Sequence, residues 1–249
     1  MSVEIINADF ADVIDTIPSG SVDCILTDPP YGETSLEWDK WPLGWPSRVL
    51  PLLKPTGSMW VFGSTRVFFD HVAEFGGWKL AQDIVWEKHN GSGFQADRFK
   101  RVHENALHFY RADAPWEGVY KDPQYTPDAV ARSVRRKKGP AHMGEIGAGS
   151  FKSEEGGDRL MRSVIYCRSE HGRAVHPTQK PLGVVEPLLL YSSPEGGTVL
   201  DIFAGSGTTG VAAQRHGRNA ILIEGKPEFA EAAKTRLETD APLFSGRAA

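Results

Sequence analysis

The chain has 249 residues and a mass of 27.4 kDa, which suits one well-packed domain with an insertion. Its two cysteines, Cys24 and Cys167, are too few and too isolated for a disulfide framework or a zinc cluster, so we expect no metal site. The sequence shows neither the basic and apolar runs of a signal peptide nor an apolar stretch as long as a membrane span, so we expect a cytoplasmic protein.

Along the chain, the hydrophobic pattern alternates between the periods of strands and helices, which is typical of α/β proteins. Short apolar segments predict strands over 3–6, 22–26, 57–62, 80–86, 105–110, 198–203 and 220–224. Helical periodicity predicts helices over 12–17, 46–53, 67–75, 181–191, 208–216 and 227–237. The stretch 111–171 has no clear period and is rich in glycine, proline and charge. We expect it to be an insertion in a single domain that spans 1–249.

A glycine-rich loop follows the predicted strand 198–203. Gly205, Gly207 and Gly210 fit the pattern G-x-G-x-x-G, and Glu224 lies about 20 residues further on, where a carboxylate can accept ribose hydroxyls. Glycines let a cofactor lie against the backbone, so this loop indicates an adenosine cofactor without deciding which one. A nicotinamide dehydrogenase and a turn without ligand are the alternatives. The dehydrogenase is disfavoured because a dinucleotide-binding fold needs further strand and helix units after this loop, and the sequence predicts only one strand and one more helix there.

A second motif, Asp28-Pro29-Pro30-Tyr31, follows the predicted strand 22–26. The prolines fix an extended backbone whose carbonyl groups cannot all pair within a sheet. The Asp28 carboxylate and the Pro29 carbonyl could accept both N–H bonds of an exocyclic amine, and Tyr31 could stack on the base. A proline-rich turn capped by an aspartate is the structural alternative. The motif lies at the carboxyl end of a strand, where open α/β sheets bind ligands, and this position favours a ligand-binding site.

Together these motifs resemble those of β-class DNA amino-methyltransferases, in which the catalytic tetrapeptide precedes the glycine loop. The chain departs from the family pattern at two places. Ile202 replaces a common proline, and Gly225-Lys226 stands where an acidic residue is common. The second departure affects the expected contacts to the adenine edge of the cofactor. The segments that agree in order frame nearly the whole chain except 111–171: Asp9 and the strand before it, Thr27 to Tyr31, His103-Glu104-Asn105 with the strand through Tyr110, His176 to Pro181, Val199 to Thr209, and Ile223-Glu224.

The resemblance implies a doubly wound, mostly parallel seven-stranded sheet of the Rossmann-like methyltransferase type, with S-adenosylmethionine over the carboxyl ends of the strands. It implies that the catalytic residues are Asp28, Pro29, Pro30 and Tyr31. The implied cofactor contacts are Asp9 and Phe10 near the adenine, Glu224 at the ribose, Thr178 and Lys180 closing over the cofactor, and Phe203, Gly205, Ser206, Gly207 and Thr208 at its methionine portion. Asp28 and Asp201 are further implied cofactor-binding residues. His176 is interpreted as a capping or packing residue.

A local basic surface could bind DNA although the net charge of the chain is -4. The basic cluster consists of Arg132, Arg135, Arg136, Lys137 and Lys138. An isolated basic run is usually a solvated loop. This one lies where the family has its target-recognition region, which favours contact with the DNA backbone. Trp38 is the aromatic residue that we select as a DNA contact.

The implied reaction is direct, in-line methyl transfer to the N6 atom of adenine in DNA, as in restriction-modification systems. Adenine is favoured because aspartate begins the tetrapeptide, and N4 of cytosine is the alternative. Methylation at carbon 5 of cytosine would need a cysteine nucleophile, which neither cysteine is placed to supply. The target base must leave the duplex. A non-catalytic DNA-binding partner is a further alternative, and the oligomeric state is left open, a homodimer included.

Overall fold

The computed structural model of the chain describes residues 2–92, 96–136, 149–170, 176 and 178–240. Its strands are β1 (Val3–Asn7), β2 (Val22–Thr27), β3 (Leu53–Gly63), β4 (Trp78–Ser92), β5 (Arg101–Arg111), β6 (Tyr125–Thr126), β7 (Arg132–Arg136), β8 (Gly149–Ser153), β9 (Arg159–Leu160), β10 (Val164–Tyr166), β11 (Thr198–Asp201) and β12 (Asn219–Glu224). Its α-helices are α1 (Phe10–Val13), α2 (Trp45–Val49), α3 (Thr65–Asp70), α4 (Leu182–Ser192), α5 (Thr208–Arg215) and α6 (Pro227–Asp240).

Three of the predicted helices are interrupted. The segments predicted as helices over 12–17, 46–53 and 67–75 each consist of a short α-helix followed by a 3-10 turn, over Ile14–Thr16, Leu50–Leu52 and Val72–Phe75. In the second case Pro51 has no N–H to continue an α-helix, and Leu53 already belongs to β3. The apolar period therefore survives while the hydrogen-bond pattern changes.

One sheet contains eight of the described strands, in the order β1-β12-β11-β2-β3-β5-β4-β10. Neighbours from β1 to β3 are parallel, whereas β5 is antiparallel to β3 and β4. The predicted α/β fold with a mostly parallel, Rossmann-like sheet is therefore confirmed. The eighth strand, β10, pairs in parallel with β4 and has three residues. So short a strand has no readable period, which is why the sequence predicts only seven.

The direction of winding reverses between β11 and β2. From β11 the chain continues through α5 to β12 on one side, and from β2 it continues through α2 to β3 on the other. The two strands are parallel neighbours, with Val199 opposite Cys24 and Leu200 opposite Ile25. Open α/β sheets bind ligands outside the carboxyl ends of the strands at such a reversal. The fold thus brings the ends of β2 and β11 to the place where a ligand site is expected.

The sheet is held by burial on both faces around these central strands. Every residue of β2 is buried, and Ile25, Leu200 and Leu222 have no or almost no exposed surface. Such burial stabilises the fold by about 1.5–3 kcal/mol for each large aliphatic side chain. Trp45 of α2 packs edge-on against Phe203. The segment after β11 is therefore anchored to the core immediately before the glycine loop.

The chain divides into two compact units, 1–122 with 163–249, and 123–162. The second unit contains two antiparallel strand pairs, β6 with β9 and β7 with β8. It lies inside the predicted insertion, 111–171, whose first residue instead ends β5. Arg132 and Arg135 are exposed on β7, which ends at Arg136. Lys137 and Lys138 lie outside the described residues.

Two features are absent from the described part of the chain. No helix there is long and apolar enough to cross a membrane. Among the same residues, no group of three or more His, Cys, Asp or Glu side chains could hold a metal ion.

Candidate active site

A cavity of about 1170 Å³ lies at the carboxyl end of the sheet. It is lined by the tetrapeptide that follows β2, by the loop that follows β11, by residues that follow β1, and by the end of β12. Of the predicted catalytic and cofactor residues, all but Gly207 line it: Asp9, Phe10, Asp28, Pro29, Pro30, Tyr31, Thr178, Lys180, Asp201, Phe203, Gly205, Ser206, Thr208 and Glu224. The structure thus places both motifs around one space.

Asp201 fixes the start of the glycine loop. Its buried carboxylate accepts hydrogen bonds from the Thr27 hydroxyl (2.9 Å), the Thr209 hydroxyl (2.7 Å) and the Phe203 N–H (3.2 Å). Burial raises its pKa to about 6, although these hydrogen bonds act in the opposite direction. Asp201 lines the cavity, but its carboxylate is engaged mainly in holding the two motifs together.

The glycines of the loop have different roles. Gly205 and Gly207 both adopt the left-handed backbone conformation, with φ of 51° and 73°. Gly207 does not line the cavity. A Cβ atom there would lie 2.9 Å from the Cβ of Ala233 on α6, so the absent side chain allows close packing. At Gly210 a Cβ would lie 2.5 Å from a methyl group of Leu222, so this glycine lets α5 approach β12.

The predicted acceptor for a ribose, Glu224, lies at the end of β12, and Asp9 follows β1. The Glu224 carboxylate accepts hydrogen bonds from the N–H groups of Gly205 and Lys226, each at 2.8 Å. Burial raises its pKa, and these two bonds oppose the shift. Each of its oxygens keeps a lone pair for a hydroxyl. Asp9 caps α1 by accepting from the Ala11 N–H.

Trp38 faces the cavity beside two other aromatic rings. Its ring centroid lies 5.6 Å from that of His176 and 6.3 Å from that of Phe229, which follows Glu224 at the start of α6. His176 packs edge-on against Phe229 at 4.1 Å, consistent with its interpretation as a packing residue. Burial lowers the His176 pKa to about 4. The assignment of Trp38 to DNA contact stays a prediction.

Asp28 belongs to a buried polar network that the sequence does not reveal in full. The Tyr31 hydroxyl lies 2.5 Å from Asp28 Oδ1 and 2.8 Å from Glu104 Oε1 and can donate its proton to either. The Lys180 ammonium donates to Asp28 Oδ2 and lies 2.9 Å from Glu104 Oε1. Lys88 donates to Glu104 Oε2 at 2.6 Å. The Lys180 ammonium thus pairs with these two carboxylates, and its closing over the cofactor stays a prediction.

The network controls the charge state of its members. Burial raises the pKa of Asp28, and the adjacent Lys180 ammonium opposes that shift. Burial also acts to raise the pKa of Glu104, but Lys180 and Lys88 outweigh it and lower the value to about 2. The pKa of Lys180 is raised because both carboxylates outweigh the effect of its burial. Glu104 and Lys180 are therefore ionised near neutral pH.

The doubly wound sheet and the shared cavity define the class as that of α/β enzymes with a Rossmann-like methyltransferase fold. The chain matches the family model for N6 and N4 DNA methylases over residues 22–235 and belongs to that DNA methylase family. Members of this family use S-adenosylmethionine as the methyl donor. The resemblance read from the motifs is thereby confirmed.

Known relatives cover most of the chain. The Type II methyltransferase M.HinfI of Haemophilus influenzae is 28% identical over 96% of this chain and 69% of its own length. The structure of the M1.HpyAVI-SAM complex is similar with a TM-score of 0.66 and 29% identity, covering 94% of this chain and 100% of that one. The cytosine-N4-specific PvuII DNA methyltransferase shares the fold, with a TM-score of 0.68 and 19% identity, covering 98% of this chain and 92% of that one.

Proposed function

We propose that the chain methylates the N6 atom of adenine in DNA, with S-adenosylmethionine as the donor and a target base that has left the duplex. The observation that carries the proposal is that Asp28 and Gly205 line the same cavity. A base held at Asp28 and a cofactor held at the glycine loop would then share one space. M1.HpyAVI, which has been crystallised with the same donor, supports this choice of cofactor.

The cavity suits an adenosyl cofactor. Glu224 provides carboxylate oxygens for ribose hydroxyls, Asp9 lies in the cavity near the proposed adenine position, and Gly205 has no side chain to hinder close approach. Phe10 and Phe203 pack edge-to-face with ring centroids 5.2 Å apart and provide an apolar wall. When bound, the cofactor supplies a methyl group activated by a positively charged sulfur.

Asp28 acts on the amine of the base. An exocyclic amine is a weak nucleophile because its lone pair is delocalised into the ring. In the proposed mechanism the Asp28 carboxylate accepts one N–H and the Pro29 carbonyl accepts the other, which directs the lone pair towards the methyl group. Tyr31 stacks on the base while its hydroxyl orients Asp28. No covalent enzyme intermediate forms.

DNA contact is assigned to the second unit. Arg132 and Arg135 are exposed on β7, and we propose that they bind backbone phosphates together with Arg136, Lys137 and Lys138. Trp38 is proposed as a further contact near the displaced base. Removing that base from the stack costs a few kcal/mol, and these contacts would offset the cost.

The proposal can be tested with methyl-labelled cofactor and DNA of mixed sequence, digested to nucleosides after reaction. We expect the label on N6 of adenine. Label on N4 of cytosine would replace the assigned base, and the shared fold of the cytosine-specific PvuII enzyme shows that the fold itself does not decide between them. Absence of label from all DNA would refute the assigned substrate.

A variant tests the role of Asp28. Asp28→Ala should reduce transfer by at least about a hundredfold, because the acceptor for the amine is gone. Its affinity for S-adenosylhomocysteine, the neutral product of the cofactor, should stay close to that of the wild type. Full transfer by this variant would contradict the assigned role.

A further inference from the structure

Four ionisable groups with little exposure form one connected cluster with the Tyr31 hydroxyl, which contacts the two carboxylates. Two are carboxylates, Asp28 and Glu104, and two are ammonium groups, Lys88 and Lys180. The side chains of Glu104 and Lys180 are only 11% and 7% exposed, and Lys88 is 16% exposed. All five residues line the cavity. In such an environment charges interact more strongly than in water.

Opposite charges balance within this cluster. Counted as ionised, two carboxylates and two ammonium groups give a net charge of zero. The two lysines differ in their contacts. Lys180 bridges Asp28 and Glu104, while Lys88 contacts only Glu104 of the two carboxylates. Glu104 is therefore the anion that offsets the charge of Lys88. It is linked to Asp28 only through Lys180 and Tyr31.

We propose that Glu104 is a positioning residue that holds Lys180 and Tyr31 against Asp28 and balances the charge of the cavity for a cationic methyl donor. This inference rests on the proposed catalytic role of Asp28. Without the Glu104 charge, two lysines would face one carboxylate, and the cavity would gain one positive charge. A more positive cavity disfavours a sulfonium and disfavours the positive charge that develops on the target nitrogen.

The charge requirement follows from the reaction itself. The lone pair of the target nitrogen forms a bond to the methyl carbon while the carbon–sulfur bond breaks and its electron pair stays on sulfur. Positive charge thus passes from sulfur to nitrogen, which then releases one proton to water. Positive charge is present in the cavity throughout the step, so an additional lysine charge left unbalanced would oppose both binding and transfer.

Glu104→Gln tests the proposal because it removes the charge and keeps the shape of the side chain. Binding of S-adenosylmethionine and of S-adenosylhomocysteine is measured by calorimetry, since the two molecules differ in the charge on sulfur. We expect affinity for the sulfonium to fall by about tenfold or more, equivalent to ~1.4 kcal/mol, while affinity for the thioether changes by less than about threefold. The turnover number for labelled DNA should also fall.

Two further variants distinguish charge from general damage. In the wild type the Lys88 ammonium lies 4.4 Å from the Trp86 ring centroid. Lys88→Met removes this charge, keeps most of the apolar stem, and should shift the ratio of affinities towards the sulfonium. The double variant of Glu104→Gln with Lys88→Met restores neutrality and should return the preference towards that of the wild type. Glu87→Gln, on the same strand as Lys88 but exposed and outside the cavity lining, is the matched control.

The outcomes separate this proposal from the proposed function. Equal loss of both affinities in Glu104→Gln, or an unchanged ratio, would overturn the charge role, as would a double variant no better than the single one. If the wild type bound both ligands but labelled no DNA, the substrate assignment would fail, while the affinity ratio would still decide the role of Glu104. A Glu104→Gln chain that failed to fold would leave Lys88→Met to decide the sign of the effect.

Discussion

Thr27 and Asp201, which are separated by 174 positions in the sequence, are joined by a buried hydrogen bond of 2.9 Å from hydroxyl to carboxylate. Thr27 is the last residue of β2 and Asp201 is the last residue of β11. Each therefore immediately precedes one of the two functional motifs. Through this bond, the position of Asp28 depends on the same carboxylate that holds the glycine loop.

Replacing Thr27 by valine should weaken both motifs. The change is nearly isosteric, so the main effect is the loss of a donor to a buried carboxylate, which we expect to cost about 1–2 kcal/mol in the free energy of unfolding. Methyl transfer should also fall, because Asp28 loses its link to the glycine loop. Thermal unfolding and single-turnover transfer measure the two effects.

Thr27→Ser is the control for that change because serine keeps the hydroxyl. It should retain transfer even though the loss of a buried methyl group lowers stability. If valine at this position supported transfer as fast as the wild type, the bond to Asp201 would have no part in placing Asp28.

The same carboxylate gives the chain a dependence of stability on pH. The pKa of Asp201 is raised to about 6 in the folded state, above its ordinary value of 3.8. Between these values the folded state binds more protons than the unfolded state, so this group's contribution to stability falls as pH rises from about 4 to about 6 and is constant above that. A shift of this size corresponds to roughly 3 kcal/mol.

Asp201→Asn should remove this contribution. The difference in unfolding free energy between variant and wild type, measured by urea denaturation, should shift in favour of the variant from pH 4 to pH 6 and then stay level. A difference that is independent of pH over this range would show that Asp201 titrates at its ordinary pKa in the folded chain.

Gly207 should be more sensitive to substitution than a glycine that has a similar backbone conformation but open space where a Cβ atom would lie. Gly207→Ala places a residue with a side chain at φ of 73° and brings a Cβ atom within 2.9 Å of Ala233, so we expect a loss of about 2–4 kcal/mol. Gly20→Ala has a similar φ of 65°, but a Cβ there meets nothing within 4 Å. It should cost only about 1–2 kcal/mol.

Comparing the two melting temperatures separates backbone strain from packing. If both glycines tolerated alanine equally well, close packing between the loop and α6 would not explain Gly207. Because the loop holds Ser206 and Thr208 at the cavity, a loss of cofactor affinity should accompany only the change at Gly207.

The parallel half of the sheet was predictable and the antiparallel half much less so. Asp28 and Gly205 each follow an apolar strand, and the carboxyl ends of parallel strands meet at one edge, so their proximity follows from order and period. Glu104 and Lys88 lie on β5 and β4, where a register slip of one residue would turn each side chain to the opposite face. Only the observed pairing, with Trp86 opposite Glu104, shows that these charges reach the cavity.

Lys180 shows a second limit of prediction from sequence, which concerns the position of a long side chain. Its motif indicated a position near the cofactor, and the Thr208 hydroxyl does donate to its backbone carbonyl at 3.1 Å. The long side chain extends from there to Asp28 and Glu104. The sequence indicates where the backbone of a lysine lies much better than where its ammonium ends, because four rotatable bonds separate the two.

The exposed arginines of β7 give a prediction about salt. If Arg132 and Arg135 bind phosphates, replacing both by glutamine should weaken DNA binding on every sequence tested and reduce the slope of log affinity against log salt by about 0.9 for each phosphate that is no longer neutralised. Cofactor affinity should not change. Lys234→Gln, which removes the same charge from an exposed position on α6, is the control for one arginine.

Fluorescence anisotropy over a series of salt concentrations measures this slope, and calorimetry measures cofactor affinity. If Lys234→Gln weakened DNA binding half as much as the double arginine variant, only overall charge would matter, and the assignment of β7 to DNA would then be wrong. A changed sequence preference with an unchanged slope would instead indicate contacts to base edges, because phosphate contacts carry no sequence information. The expected result, a uniform weakening with a reduced slope, is the one that binding of β7 to the phosphate backbone requires.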